Sequence, residues 1–351
     1  MKILVVRLSS LGDVLHLFPA VSDLRRRFPD AQIHWLIEPA FAELASWHFA
    51  VDKVIEVPLR SHKKAWHKVP RLLRSTRRAL RAEKYDLVLD AQGLLKSALL
   101  ARLAGVEIFG FESPRERLAA RLYSRTAQVS SGLHIVDKNR QLVARLFDVD
   151  VSQPADFGLE SFRKIQAAGT LPDVLQGLVG KPSLVLLHGT TWDSKYWPES
   201  SWRELIGLLG ERGVHCLLPW GNQEEHRRAE RLATGGHVHV LPRLPLRELM
   251  SVLLHAQGFV SVESGIGHLA TVLDVPGIML HGPTDPGYSG ILGKRCEHLT
   301  SGLDCSPCFR RNCPKPVSPD SPPPCQLKIT APLVFGRCLA LLDSIARERA
   351  C

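Results

Sequence analysis

The chain has 351 residues, enough for two domains that each bury a core at roughly 100 to 200 residues apiece. Hydrophobic residues make up 45% and charged residues 23%, which excludes a disordered chain, and no run reaches the roughly 18 uncharged apolar residues that a spanning helix needs. The formal charge is +10, but nine of the basic residues (Arg60, Lys63, Lys64, Lys68, Arg71, Arg74, Arg77, Arg78 and Arg81) lie in residues 60–81, where no acidic residue occurs. The remainder is nearly neutral, which argues against an evenly basic nucleic-acid coat and for a local anion-facing patch, with a solvated helix face as the alternative.

In chain order, Met1–Arg7 carries too short an apolar run before Arg7 for a signal peptide and reads as a buried strand, which points to a cytosolic chain with mostly reduced thiols. Apolar runs then alternate with amphipathic stretches, the pattern of βα units on a parallel sheet. Strands are predicted at Lys2–Arg7, Gln32–Ile37, Lys53–Val57, Asp86–Ala91 and Glu107–Phe111. Helices are predicted at Asp13–Phe28, Pro39–Trp47, Val69–Glu83, Leu94–Leu103, Arg115–Tyr123 and His134–Phe147. Weak periodicity with scattered Gly and Pro over Asp148–Lys181 marks the domain boundary.

A second series begins at strand Ser183–His188 and runs through helix Glu199–Glu211, strand Val214–Pro219, helix Glu224–Ala233, strand Val238–Leu241 and helix Leu246–His255. Strand Gly258–Val262, helix Gly265–Leu273 and strand Gly277–His281 follow. Pro314–Pro324 is too proline-dense for regular structure, and an amphipathic helix over about Ala331–Arg349 closes the chain. Ligands of doubly wound sheets sit beyond the carboxyl ends of the strands, so chemistry is expected in the loops after Arg7, His188, Pro219, Val262 and His281.

Three of those loops carry candidates. Ser9-Ser10-Leu11-Gly12-Asp13 leads into a helix start, where Asp13 is either a helix cap or a base for a substrate hydroxyl. Thr190, Thr191 and Lys195 precede a helix and suit a diphosphate, by hydrogen bonds and a point charge. Glu263-Ser264-Gly265-Ile266-Gly267-His268 is a Gly-rich strand-to-helix turn presenting backbone donors, yet it is not a dinucleotide G-x-G-x-x-G.

Five segments together resemble the lipopolysaccharide heptosyltransferases, with heptosyltransferase I as the nearest subgroup. They are Ser9–His16, Asp90–Ser97, Thr190–Glu199, Pro219–Gly221 and Gly282–Pro286, in order over residues 1–290. The resemblance implies an α/β GT-B fold of two Rossmann-like domains facing a central cleft. It places an acceptor domain at 1–160, a linker at 161–181, a nucleotide-sugar domain at 182–330, and a C-terminal helix at 331–351 that packs back on the first domain. It implies transfer of L-glycero-D-manno-heptose from ADP-heptose to the first Kdo of Kdo2-lipid A, with inversion, no metal and no cofactor. The alternative is a related envelope glycosyltransferase, of heptosyltransferase II or III type, with another acceptor or sugar.

Carried over residue by residue, the resemblance makes Asp13 the catalytic base. Lys195, Thr190 and Thr191 become phosphate contacts, and Glu225 the ribose contact. Glu263, Ser264 and Gly265 stand where the family has Asp-Thr-Gly, a departure that bears on the sugar, and His268 follows on the next helix. Ser10, Gly12, Arg60, Lys63, Lys64, Lys96 and Arg115 fall at acceptor positions. Ser61 replaces a basic residue found in a near relative. The implied partners are ADP-heptose, Kdo2-lipid A and the anionic inner face of the cytoplasmic membrane in a Gram-negative cell, with no nucleic acid. Cys305, Cys308, Cys313 and Cys325 have one tight pair of zinc-site spacing; structural zinc, a disulfide and free surface thiols all stand as readings.

Overall fold

The computed structural model describes residues 1–59, 67, 69–167, 169–170, 172–291, 293–316 and 321–350. Arg60, Ser61, Lys63, Lys64, Trp66 and Lys68 therefore lie outside the described residues. Two units divide between Phe162 and Arg163.

In the first unit the elements run β1 (Lys2–Val6), α1 (Leu11–Arg27), β2 (Gln32–Ile37), α2 (Pro39–Ser46), β3 (Lys53–Glu56), α3 (Val69–Ala82) and β4 (Leu87–Asp90), then α4 (Leu95–Arg102), β5 (Glu107–Phe111), α5 (Arg117–Ala120), β6 (Arg125–Ala127) and α6 (Ile135–Phe147). The strands form one parallel sheet in the order β3-β2-β1-β4-β5-β6. The central strands are fully buried, so Ile3 to Val6 and Leu87 to Leu89 read as unbroken apolar runs with no alternation. On one face α1 packs on α6 around a buried ion pair, Arg140 Nε to Asp23 Oδ2 at 2.7 Å.

The second unit begins with two short helices, α7 (Glu160–Ala167) and α8 (Asp173–Gln176), the first of which spans the division; they occupy most of the stretch expected to be a linker. Next come β7 (Ser183–Leu187), α9 (Glu199–Glu211), β8 (His215–Leu218), α10 (Gln223–Leu232), β9 (Val238–Val240), α11 (Leu246–His255), β10 (Gly258–Val262), α12 (Gly265–Val272), β11 (Gly277–His281), α13 (Pro286–Ser289), β12 (Cys296–Thr300), α14 (Pro324–Lys328) and α15 (Ala331–Ala350). This sheet is also parallel, ordered β12-β11-β10-β7-β8-β9.

The chain differs from expectation at the edges of both sheets. β6 and β12 were not predicted, because β6 is three residues with one buried and the apolar residues of β12 are interrupted by Glu297 and His298. The Pro-dense stretch contributes the first residue of α14, where proline's missing N–H is one the helix start would leave unpaired in any case. The closing helix α15 buries Val334 and Cys338 in the core of its own unit and packs on α9.

Candidate active site

Strand order reverses between β1 and β4 in the first sheet and between β7 and β10 in the second. At such a reversal the flanking helices leave on opposite faces, and the loops beyond the strand ends splay to leave room for a ligand. Each unit has one such place, and the candidate residues collect there.

In the first unit Asp13 is the third residue of α1, just past the loop beyond β1. Its Oδ2 accepts from the Ser10 backbone N–H at 2.9 Å and from Ser10 Oγ at 3.0 Å, and its Oδ1 lies 3.0 Å from Arg7 Nη2. Asp13 is thus both a helix-start partner and one half of an ion pair whose other half is buried. Its side chain stays 35% exposed, so a substrate hydroxyl can reach it. Burial disfavours its charge, but Arg7 and the Ser10 N–H outweigh that and hold the carboxyl below the usual carboxylate range.

The loop beyond β4 holds this turn in place. Gln92 accepts from Leu8 N at 2.6 Å through Oε1 and donates Nε2 to Ser9 O at 2.9 Å, while Arg7 Nη1 donates to Ala91 O. Beneath it the fully buried Asp90 takes Gln92 N, Ser97 Oγ and Tyr123 Oη, each at 2.9 Å; burial pushes its carboxyl up. Gly93 adopts φ +68, a conformation that only glycine takes cheaply, and turns the chain into α4. Leu95 N donates to Glu116 Oε2 at 2.7 Å, joining the first turn of α4 to the segment before α5, so exposed Lys96 and Arg115 sit beside bonded neighbours. Ser10 and Gly12 lie in the Asp13 turn itself.

In the second unit Glu263, one residue beyond β10, is the hub. Its side chain is 6% exposed, and Oε2 lies 2.9 Å from Lys195 Nζ and accepts from the Thr284 hydroxyl. His268 Nε2 stands 3.7 Å from Oε1 and His281 Nδ1 stands 3.9 Å from Oε2. Burial opposes the carboxylate charge, yet neighbouring His268, Lys195 and His281 hold its pKa far below the ordinary range. His281 passes Nε2 to His298 Nδ1 at 2.8 Å, and burial pushes His281 down to about 3.

Thr190 donates Oγ1 to the Glu263 carbonyl at 3.1 Å, tying the loop beyond β7 to the loop beyond β10, and Thr191 beside it is exposed. Lys195 Nζ also lies 4.3 Å from the centre of the Trp192 ring. Ser264 caps α12 by accepting from Gly267 N at 3.1 Å, and Gly265 is the first residue of that helix. The helix start points its positive end at the same loops. Glu225 lies in the first turn of α10 and accepts from Gly221 N at 2.7 Å. It packs so closely over Gly189 that a Cβ there would stand 2.7 Å from the Glu225 carboxyl carbon.

Sequence reasoning named Asp13, Thr190, Thr191, Lys195, Glu225 and the Glu263–His268 run, and the fold gathers these at the two reversals. It missed Arg7, Gln92 and Thr284. Arg7 is signalled only by being a charged residue at the end of a buried strand, while Gln92 and Thr284 lie in segments whose pattern was noted without a role. All seven described cysteines are free thiols, and among the described residues no three His, Cys, Asp or Glu side chains are grouped to hold a metal.

Two parallel six-stranded sheets, one carrying an open carboxylate and the other a cation with hydroxyls and a helix start at their reversals, form the paired Rossmann-like architecture that GT-B glycosyltransferases share. The model of glycosyltransferase family 9 (heptosyltransferase) matches residues 73–317. Lipopolysaccharide heptosyltransferase 1 of Pseudomonas aeruginosa is 42% identical over 344 residues, spanning 96% of this chain and 94% of the relative. Its counterpart from Salmonella typhimurium is 44% identical over 302 residues, spanning 84% of this chain and 92% of its own. Among solved structures, E. coli heptosyltransferase WaaC with ADP-2-deoxy-2-fluoro heptose superposes with a TM-score of 0.78 at 35% identity, covering 97% of this chain and 99% of that one. The chain belongs to glycosyltransferase family 9, the heptosyltransferases.

Proposed function

We propose that the chain transfers L-glycero-D-manno-heptose from ADP-heptose to the first Kdo of Kdo2-lipid A, with inversion at the sugar's C1. Family membership supports the reaction class, heptose transfer in assembly of the lipopolysaccharide inner core. The observation that carries the donor side is the Lys195–Glu263 pair at the β7/β10 reversal, flanked by Thr190 and the start of α12.

Chemically, Asp13 is the base. Arg7 keeps it ionised, and its exposed edge accepts the Kdo hydroxyl proton as that oxygen attacks C1. As the bond to ADP breaks, negative charge grows on the diphosphate. Lys195, the Thr190 and Thr191 hydroxyls and the backbone N–H groups at Ser264 and Gly265 receive it, the Thr190 hydroxyl turning from the Glu263 carbonyl to do so. Glu225 is the ribose contact, since a carboxylate can accept from two neighbouring hydroxyls. His268 completes the donor side, and Lys96 and Arg115 meet acceptor anions. Incubation with ADP-heptose and Kdo2-lipid A, read by mass of the acceptor, is expected to show one added heptose; no addition with this pair overturns the assignment.

Helix α3 bears on how such an enzyme meets a lipid-anchored acceptor. Arg71, Arg74, Arg77, Arg78 and Arg81 are exposed, whereas Leu80 is buried and Leu72 and Leu73 pack against the core. Among the described residues no helix is long and apolar enough to cross a membrane. The leucines are committed to the fold, so the arginines rest on an anionic leaflet without insertion.

A further inference from the structure

We propose that Arg311, carried by the cysteine-rich loop, is a second cation for the donor's diphosphate, a role that rests on the donor reading above. Arg311 Cζ lies 5.6 Å from the centre of the Trp192 ring, the same indole that Lys195 Nζ approaches at 4.3 Å. One indole thus has two like charges against it, whose mutual repulsion favours an anion with charge on two neighbouring groups.

The placement is built into the backbone. Buried Ser194, next to Lys195, donates its N–H to Arg311 O at 2.9 Å and its hydroxyl to Arg310 O at 2.6 Å. Gln326, also buried, donates Nε2 to Ser194 O at 3.2 Å and fixes Ser194 from behind. Further back in the loop, Cys308 N and Phe309 N donate to Pro283 O at 3.0 and 2.8 Å, one residue before the Thr284 that bonds Glu263. The cysteine-rich loop is therefore stitched to both segments that hold Lys195 and Glu263.

Charge balance explains why a second cation is needed. Glu263 stands 2.9 Å from Lys195 and matches its charge, so the pair presents little net positive charge to a diphosphate. Among the described residues Arg311 takes part in no ion pair, and its planar fork suits two phosphate oxygens at once. Arg311 supplies the charge that the Lys195–Glu263 pairing cancels.

Calorimetry on wild type, Arg311→Ala, Arg311→Lys and Arg310→Ala, with ADP, AMP and adenosine as probes, tests this. Arg311→Ala is expected to weaken ADP by about tenfold or more, the worth of a charge-assisted hydrogen bond, to weaken AMP less and to leave adenosine unchanged. Arg311→Lys restores part of the ADP affinity, and Arg310→Ala, which keeps the backbone carbonyl, matches wild type. Wild-type ADP affinity in Arg311→Ala overturns the inference, as does an equal loss for ADP and adenosine, which marks a folding effect. A wild-type protein that binds adenosine-containing probes no better than buffer overturns the donor reading itself.

Discussion

Asp13 and Glu263 are each a carboxylate at the strand-order reversal of their unit, paired with a cation and braced by a hydroxyl. They differ in access. The Asp13 side chain is 35% exposed against 6% for Glu263, and the Asp13 cation is the buried member of its pair, whereas Lys195 is the more exposed member of its own. An ionised carboxylate open to a ligand can take a proton, while one sealed among Lys195, Thr284, His268 and His281 can only hold other groups in place. On the reading proposed above, the same residue chemistry becomes reagent or scaffold according to burial.

Removing the carboxylates separates these roles. Asp13→Asn is expected to cut kcat roughly a hundred- to ten-thousandfold with ADP affinity unchanged, at a stability cost of about 1 kcal/mol for the lost helix-start contact. Near-wild-type turnover in a steady-state assay removes Asp13 from the chemistry. Glu263→Ala leaves Lys195 and its neighbours without their anion and is expected to cost about 3–5 kcal/mol in urea unfolding. Stability equal to wild type would erase the contrast between the two residues.

Acid titration sharpens it further. Each unit buries a histidine, His48 in the first and His188 in the second, and burial holds both down to about 4. Below pH 6.5 the unfolded chain takes up protons that the folded histidines refuse. Stability is full above that pH and falls by about 1.4 kcal/mol per unit per histidine until pH reaches about 4. Glu263 adds a second, lower phase. Its folded pKa is depressed, so its contribution is complete above its ordinary value of 4.5 and is lost as pH falls further. Unfolding free energy that stays flat between pH 6.5 and 4.5 contradicts this order of events. The smallest effect is at the surface: each α3 arginine changed to alanine should weaken sedimentation with anionic vesicles by about 1 kcal/mol, and insensitivity to anionic lipid rules out the attachment.

Most of the fold was legible because both sheets are parallel and covered, so their central strands are uninterrupted apolar runs such as Leu184 to Leu187. β6 and β12 were not, since the first is only three residues long and the second mixes Glu297 and His298 with its apolar residues. In the site, Asp13, Lys195 and Glu263 stood out as charged groups in strand-to-helix loops. Gln92 did not, because its partners Leu8 and Ser9 lie more than eighty residues away in the chain. Thr284 and Arg311 depend likewise on contacts with Glu263 and Ser194 that no local pattern reports.

The amino-acid sequence by itself determined two βα series, the loops where ligands belong, and a charge concentrated in residues 60–81. Those follow from periodicity and from counting, which are local. Tertiary structure decided which carboxylate is open and which is sealed, which cation each one meets, and that the cysteine-rich loop is fastened beside Lys195. Access and pairing arise only when strands distant in the chain lie side by side, so burial, which sets the strength of every charge interaction, is a property of the folded chain alone.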